Sequence, residues 1–471
     1  MSDYDFVVIG GGSAGYAAAS TACKLGLKVA LVEGGRDVGG LCILRGCMPS
    51  KTLIESANRF HSIQRANEFG LRAENAAVIG SEIIERKRRL IAEFADYRRQ
   101  QLETGAFDFI RGWAGFVDPL TLEISGENVR RITGKTFLIA TGSKLTHIDI
   151  EGCEQTGFLD SDAVLDSTHI PKSVIMLGGG ATAVEFAHYY SGLGCDVTIL
   201  QRSGQLLKEM DGDVALALSS AFTRRGMRLF FNTKLERIEK TASGKRVHFC
   251  HEGEEKFAEA EEIIYALGRS PQLDGLHLEN AGIAVQHCYA STGATQQTNV
   301  KHVFSAGDAA GPYEIVHIAI QQAEVAARNA ARIVRGATEP LEQIDYRLKL
   351  FITFSEPQVA AVGFTEKELM SAGADYKIAC YPFSDHGKSI VLGETDGFVK
   401  LIARTSDGEI LGAAVVGPHA SDLIHEIAVA IHFHATADDL LRVPHYHPTL
   451  SEIWTYPAEE LARGGEPVMP R

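Results

Sequence analysis

Short β-branched apolar runs alternate along the chain with alanine-rich stretches of helical period. The run Asp5 to Ile9 (DFVVI) ends in Gly10-Gly11-Gly12-Ser13-Ala14-Gly15, continues as AAASTACKLG, and is followed by Lys28 to Val32 (KVALV), which closes at Glu33. An apolar run stopped by glycines and followed by a helical pattern and a second run predicts a βαβ unit. Glycines at Gly10, Gly12 and Gly15, with an acid 23 positions after the first, fit a dinucleotide fingerprint. The glycines permit a tight turn and close backbone approach to a pyrophosphate, and the acid can accept from a ribose hydroxyl.

The pattern recurs. Ser173 to Leu177 (SVIML) leads into Gly178-Gly179-Gly180-Ala181-Thr182-Ala183, an alanine-rich helix, and Asp196 to Leu200 (DVTIL) ending at Gln201. A second echo links Phe137-Leu-Ile-Ala-Thr-Gly142 with Ile263-Ile-Tyr-Ala-Leu-Gly268, each an apolar strand running into a glycine turn. Between the units, 79–103 reads as a long charged surface helix, with apolar residues at Ile83, Ile84, Leu90, Ile91 and Phe94. A helix over about 315–334 leads to a third region from Tyr346. There short strands (LFITF, GFVKLIA, ILGAAVV) mix with a helix near 421–434 and no glycine fingerprint appears. The expected fold is α/β: two Rossmann-like dinucleotide-binding domains, at 1–150 with 271–345 and at 151–270, and a C-terminal α+β domain at 346–471.

Composition narrows the partners. With 471 residues, a formal charge of -14 and 45% hydrophobic residues, the chain has core enough for about three domains at ~150 residues each. It lacks the basic face that nucleic acid or an anionic membrane surface would require. No run of ~18 apolar residues could span a bilayer, and the start MSDYDFVVIGGG has no basic n-region or cleavage site. Eight cysteines are too sparse for a disulfide scaffold, so a reducing, cytoplasmic setting is expected.

One cysteine pair, Cys42 and Cys47, is close in sequence, inside GGLCILRGCMPSK, six residues after Glu33. The spacing departs from common zinc patterns and further ligands are missing. In a regular helix the pair would be ~7.5 Å apart in rise alone, beyond the ~7 Å reach of a disulfide. A disulfide therefore needs a distorted backbone, for which Gly46 and Pro49 supply suitable residues; the alternative is two unlinked thiols. His425, His432 and His434 fall on a predicted helix, but no cysteine or third-turn carboxylate completes a metal site, and no metal is expected.

In order and spacing these segments closely resemble the pyridine nucleotide-disulfide oxidoreductase family, the FAD flavoproteins that include dihydrolipoamide dehydrogenase, glutathione reductase and mercuric reductase. The resemblance covers essentially the whole chain, including Ala306-Gly-Asp308 and His447-Pro-Thr-Leu-Ser-Glu452. It implies FAD on the first unit, NAD(P)H on the second, and a homodimer whose C-terminal domain completes the partner's active site. It further implies that Cys47 faces the flavin and Cys42 exchanges with substrate sulfur. Lys51 and Glu185 match an ion pair near the flavin ring. Thiol exchange needs a thiolate, whereas an ordinary cysteine has a pKa near ~8.5. An imidazole near ~6.5 can take that proton and a carboxylate can orient it, the roles expected of His447 and Glu452. The cofactor-binding positions implied are Gly10, Gly12, Ser13, Gly15, Glu33, Gly40, Thr141, Gly142, Gly178, Gly180, Gln201, Arg202, Gly268 and Asp308.

Within the family, His445 two places before His447 favours a dihydrolipoamide dehydrogenase-like enzyme. The last cysteine, Cys380, and the tail EPVMPR offer no vicinal pair for mercury reduction. Soluble transhydrogenases of the family lack the redox pair that this chain has. Neutral Gln201 stands where a carboxylate would select NAD, and Arg202 and Lys208 follow at positions where the family's NADPH-using members carry basic residues, which points to NADPH or dual use. Leu41 and Ile43-Leu44-Arg45 depart from the family pattern and add a cation beside the dithiol. A lipoyl group on a carrier protein or another small disulfide is thereby kept in view, as are an NADPH-dependent, glutathione reductase-like activity and a non-catalytic flavoprotein relay docked on a carrier.

Overall fold

Both glycine-turn units fold as βαβ units, and the reason lies in their burial. The computed structural model describes residues 2–126 and 129–462; the tail 466–471 lies outside the described residues. In the first unit, β1 (Tyr4–Ile9), α1 (Ser13–Lys24) and β2 (Val29–Glu33) follow one another. Along β1, Phe6 and Val8 enter one core while Val7 and Ile9 enter another. Two covered faces explain a continuous apolar run instead of strict alternation.

The chain divides into two compact units. The first comprises Met1–Thr52, Glu85–His147 and Gly268–Asp345. Its sheet runs, in order, Asp108–Arg111, β2, β1, Arg130–Ile139, Thr121–Ser125 and Trp113–Asp118, with Val303–Ser305 also on Arg130–Ile139. The strands around β1 are parallel, and the last two pairings are antiparallel. Alanines of α1 (Ala14, Ala18, Ala19, Ala22) share a core with Ala319, Ala323, Ala326 and Ala330 of the helix Val316–Val334. Small side chains let the two helices approach closely.

The second unit comprises Leu53–Ile84, Ile148–Leu267 and Tyr346–Arg471. Its parallel sheet orders Arg228–Phe230, Asp196–Leu200, Ser173–Leu177, Glu262–Tyr265 and Leu159–Asp160. An antiparallel sheet of Lys234–Lys240, Lys245–His251 and Glu254–Ala260 accompanies it. The sequence pattern misses these three strands because exposed charged residues crowd the outer two, while the middle one is half-buried on its open face. A five-stranded antiparallel sheet orders Leu350–Thr353, Gln358–Gly363, Ile410–Gly417, Phe398–Arg404 and Tyr376–Pro382, with Ala420–His432 packed on it.

The sequence echo has a structural cause. Arg130–Ile139 lies beside β1, and Glu262–Tyr265 lies beside Ser173–Leu177 in the same parallel sense. Gly10 has φ +109° and a Cβ there would stand 2.3 Å from the Ala140 carbonyl oxygen; Gly178 has φ +107° and would meet the Ala266 oxygen at 2.5 Å. Each fingerprint glycine is thus pressed against its echo strand. The long helix, α4 here after α2 (Gly40–Leu44) and α3 (Cys47–Gln64), spans Gly80–Glu103. Ile84, Ile91 and Leu102 of α4 are buried and Phe94 is exposed, so it is a surface helix with a buried stripe. Among the described residues no helix is long and apolar enough to cross a membrane.

Candidate active site

The backbone between the two close cysteines is broken, as their spacing requires. Helix α2 stops at Leu44, Arg45 adopts φ -144° and ψ 11°, and α3 restarts at Cys47 with Pro49 in its first turn. A Cβ on Gly46 would lie 3.0 Å from the Leu41 carbonyl oxygen and 3.3 Å from Cys42 Cα. The missing side chain is what lets the two cysteines converge. Ser50 ties the restart by donating its Oγ hydrogen to the Gly46 carbonyl at 2.8 Å. Both cysteines are half-buried. Hydrogen bonding to Cys47, then burial, then the Cys47 charge push the Cys42 thiol far up, and Lys51 one turn along α3 opposes them.

The first unit offers a cradle for a dinucleotide. Gly12 caps α1 without a side-chain bond, which leaves first-turn amides for a pyrophosphate. A Cβ on Gly40 would come within 2.5 Å of Gly12 Cα, so the turn and the start of α2 enclose the same space. Glu33 accepts from the Gly11 amide at 2.8 Å and the Gly35 amide at 2.6 Å, which fixes both carboxylate oxygens at the turn. The Arg98 guanidinium lies over the Tyr16 ring at 4.2 Å, and its buried Nε and Nη1 have no partner among the described residues. Buried Thr141 Oγ1 also lacks one. Orphaned donors around an uncapped helix start suit an anionic dinucleotide, so these residues fit FAD. Asp308 accepts from Ser143 Oγ at 2.6 Å, and Ser143 in turn accepts from Arg269 Nε at 3.0 Å, close behind the positive-φ Gly142.

The second turn is built alike, with one change. Gly180 caps Ala181–Gly192 with no side-chain bond. Gln201 occupies the place of Glu33: a Cβ on Gly179 would stand 3.0 Å from its Cδ. Its Nε2 donates to Ser203 Oγ at 2.6 Å, while its Oε1 accepts from the Arg202 amide at 3.1 Å. Arg202 is exposed. Glu185, on the same helix as the second turn, is buried and accepts from the Phe354 amide at 3.1 Å.

At the C-terminal end, His447 Nδ1 lies 3.0 Å from Glu452 Oε2, with the imidazole exposed and the carboxylate largely buried. With Nδ1 so engaged, Nε2 is the ring nitrogen turned away from Glu452. His445 pairs with Glu426 at 2.6 Å. His434, expected on the helix, lies beyond its end at His432 with φ 55° and meets Glu409 at 2.7 Å. Among the described residues, the group of three close candidate metal ligands is Asp211, Asp213 and Glu366. The buried Lys400 ammonium fills it at 2.6–2.9 Å. Sequence reasoning missed Ser143 and Arg269, each the residue directly after an echo glycine turn, where that adjacency was the available signal; it also missed Arg98 and His386, whose ring nitrogen faces Glu452, and neither belongs to a motif.

Two glycine-turn nucleotide folds, a dithiol at a helix break and a histidine–carboxylate pair are the parts of an oxidoreductase that moves electron pairs between a nicotinamide nucleotide and a sulfur substrate. Comparison with known proteins agrees with that class. The chain belongs to the pyridine nucleotide-disulphide oxidoreductase family, whose model matches residues 4–323 and whose dimerisation-domain model matches 351–458. It is therefore an FAD-dependent, pyridine-nucleotide-linked disulfide oxidoreductase. A dihydrolipoyl dehydrogenase of Geobacillus stearothermophilus is 33% identical over 466 residues, covering 97% of this chain and 96% of that protein. A mercuric reductase of Staphylococcus aureus is 32% identical over 441 residues, 93% and 79% of the two chains. The HOCl-induced flavoprotein disulfide reductase RclA of Escherichia coli superposes with a TM-score of 0.83 at 26% identity, covering 96% of this chain and 99% of that one.

Proposed function

We propose that the protein is a dihydrolipoyl dehydrogenase-type enzyme, with Cys42 and Cys47 as its exchanging pair. The observation that carries this reading is the convergence of the two cysteines at the Gly46 break, next to the cradle that fits FAD. A substrate thiolate attacks the oxidised pair at Cys42 Sγ, the Cys42–Cys47 bond breaks, and His447 Nε2 accepts the substrate's proton. The second substrate sulfur then displaces Cys42, closing the substrate disulfide and leaving both cysteines reduced. FAD held at the first glycine turn would supply the two-electron relay between the reduced Cys47 and a nicotinamide nucleotide held at the second. In this reading 1–150 with 271–345 hold FAD, 151–270 the nicotinamide nucleotide and 346–471 the contacts of a cytoplasmic homodimer. His447 then serves the partner's thiols, Lys51 and Glu185 pair beside the flavin, and Gln201 with Arg202 admits NADPH. A lipoyl group on a carrier protein is the natural dithiol.

Arg45 and Leu41 beside the dithiol support a second reading, in which electrons run from NADPH to another small disulfide. Anaerobic titration with NADH, NADPH and dihydrolipoamide in turn, followed through flavin absorbance and the thiolate-to-flavin band, separates the two. Cys47→Ser is expected to keep a coloured flavoprotein with little dithiol turnover. Wild-type turnover in that variant rejects the assignment, and a pair that neither nucleotide reduces favours a relay without catalysis.

A further inference from the structure

Glu452 has a second histidine behind it. His386 is fully buried, as is Ser389, and its Nδ1 lies 2.9 Å from Ser389 Oγ. Its Nε2 faces Glu452 Oε1 at 3.6 Å, just outside hydrogen-bond range, and has no hydrogen-bond partner among the described residues, so Glu452 is the acceptor it is aimed at. The other oxygen of the same carboxylate, Oε2, holds His447 Nδ1 at 3.0 Å. The ring stands edge-on to Phe383 and to Tyr456, itself stacked on Tyr381. Tyr381 donates to Asp385 at 2.9 Å. The charged groups that act on His386 are Glu452 and His447.

We propose that His386 is a positioning residue for the acid–base pair, a buried imidazole that fixes Glu452 Oε1 so that Oε2 stays on His447. The proposal rests on the acid–base role assigned to His447 above, and it adds a residue that acts on that role from behind. A largely buried carboxylate needs a partner for each oxygen, and a loose one rotates or takes a proton. For His386 to donate from Nε2, Nδ1 must accept from the Ser389 hydroxyl, which assigns a neutral ring. Burial holds the His386 pKa below its ordinary value, in keeping with that neutral state, while Glu452 opposes the shift. The Glu452 charge in turn stabilises the His447 imidazolium and orients the ring, so that Nε2 accepts the proton.

His386→Leu removes the donor and His386→Gln restores one. In the Leu variant the His447 pKa is expected to fall, because its imidazolium loses a fixed anion. The acid limb of the pH profile for dithiol turnover should move down with it, and kcat should drop roughly 10- to 100-fold, as for small misplacements of reacting groups. NAD(P)H oxidation by ferricyanide, which bypasses dithiol exchange, should be unchanged. The Gln variant should recover the acid limb. An independent readout is the pH dependence of His447 acylation by diethyl pyrocarbonate, followed by peptide mass spectrometry, which reports its pKa whether or not dihydrolipoamide is a substrate. An unaltered His447 pKa in the Leu variant overturns the proposal, and equal loss of ferricyanide and dithiol turnover reduces His386 to a packing role. A shifted acylation pKa in a protein that fails to oxidise dihydrolipoamide upholds the positioning role and rejects the lipoyl reading instead.

Discussion

Glu33 and Gln201 show how one atom decides at the residue scale. Both sit at the end of the second strand of a fingerprint unit and lie against the turn glycine. The first presents a charge held by two amides. The second presents a neutral amide tied to Ser203 and to the Arg202 backbone. A carboxylate accepts from a ribose hydroxyl and repels a 2′-phosphate. Gln201→Glu is therefore expected to shift the kcat/KM ratio towards NADH by about tenfold or more, since a charge-assisted hydrogen bond carries ~1.5–3 kcal/mol. Unchanged ratios would remove Gln201 from nucleotide selection. These two positions were legible because a fixed count from the first glycine finds them. His386 and Arg98 were not, since a lone histidine or arginine carries no signal until the folded chain shows what surrounds it.

The break between α2 and α3 belongs to the scale of elements. Five residues from Cys42 to Cys47 would keep the thiols apart in an unbroken helix, and the structure spends Arg45 and Gly46 on the interruption. Gly46→Ala places a methyl against the Leu41 carbonyl and Cys42 Cα. Overpacking of that kind costs about 1–3 kcal/mol. The variant should keep its FAD yet lose dithiol turnover several-fold, and turnover equal to wild type would show that the backbone yields without separating the thiols. The sequence announced a distortion here but not its form. It likewise missed Lys234–Lys240 and Glu254–Ala260, where charged residues on the open face mask the alternation that a half-buried strand normally displays.

For the molecule as a whole, buried neutral histidines tie stability to pH. His188 is fully buried; Arg225 Nη1 donates to its Nδ1 at 3.2 Å, so Nε2–H donates to Asn58 Oδ1 at 2.6 Å. Burial first, and then the charges of Arg225 and His61, hold its pKa well below the usual value, and burial lowers that of His386. With a depressed folded pKa, the unfolded chain takes the proton first. Stability is then full above ~6.5 and is lost as pH falls from there, by at most about 1.4 kcal/mol per pH unit for each group. Urea unfolding at pH 7.5 and 5.5 should show the loss, and His188→Gln should make it shallower. An equal pH slope in that variant would assign the acid sensitivity to other groups. By itself the sequence determined the two nucleotide turns, their echo strands and the thiol pair, because each is dictated by dihedral angles, amides and side chains a few residues apart. Only the tertiary structure decided that Arg98 lies over Tyr16 with its Nε and Nη1 unpartnered among the described residues, and that His386 stands behind Glu452. Those placements join residues distant along the chain, and what joins them is packing and burial, which no local pattern encodes.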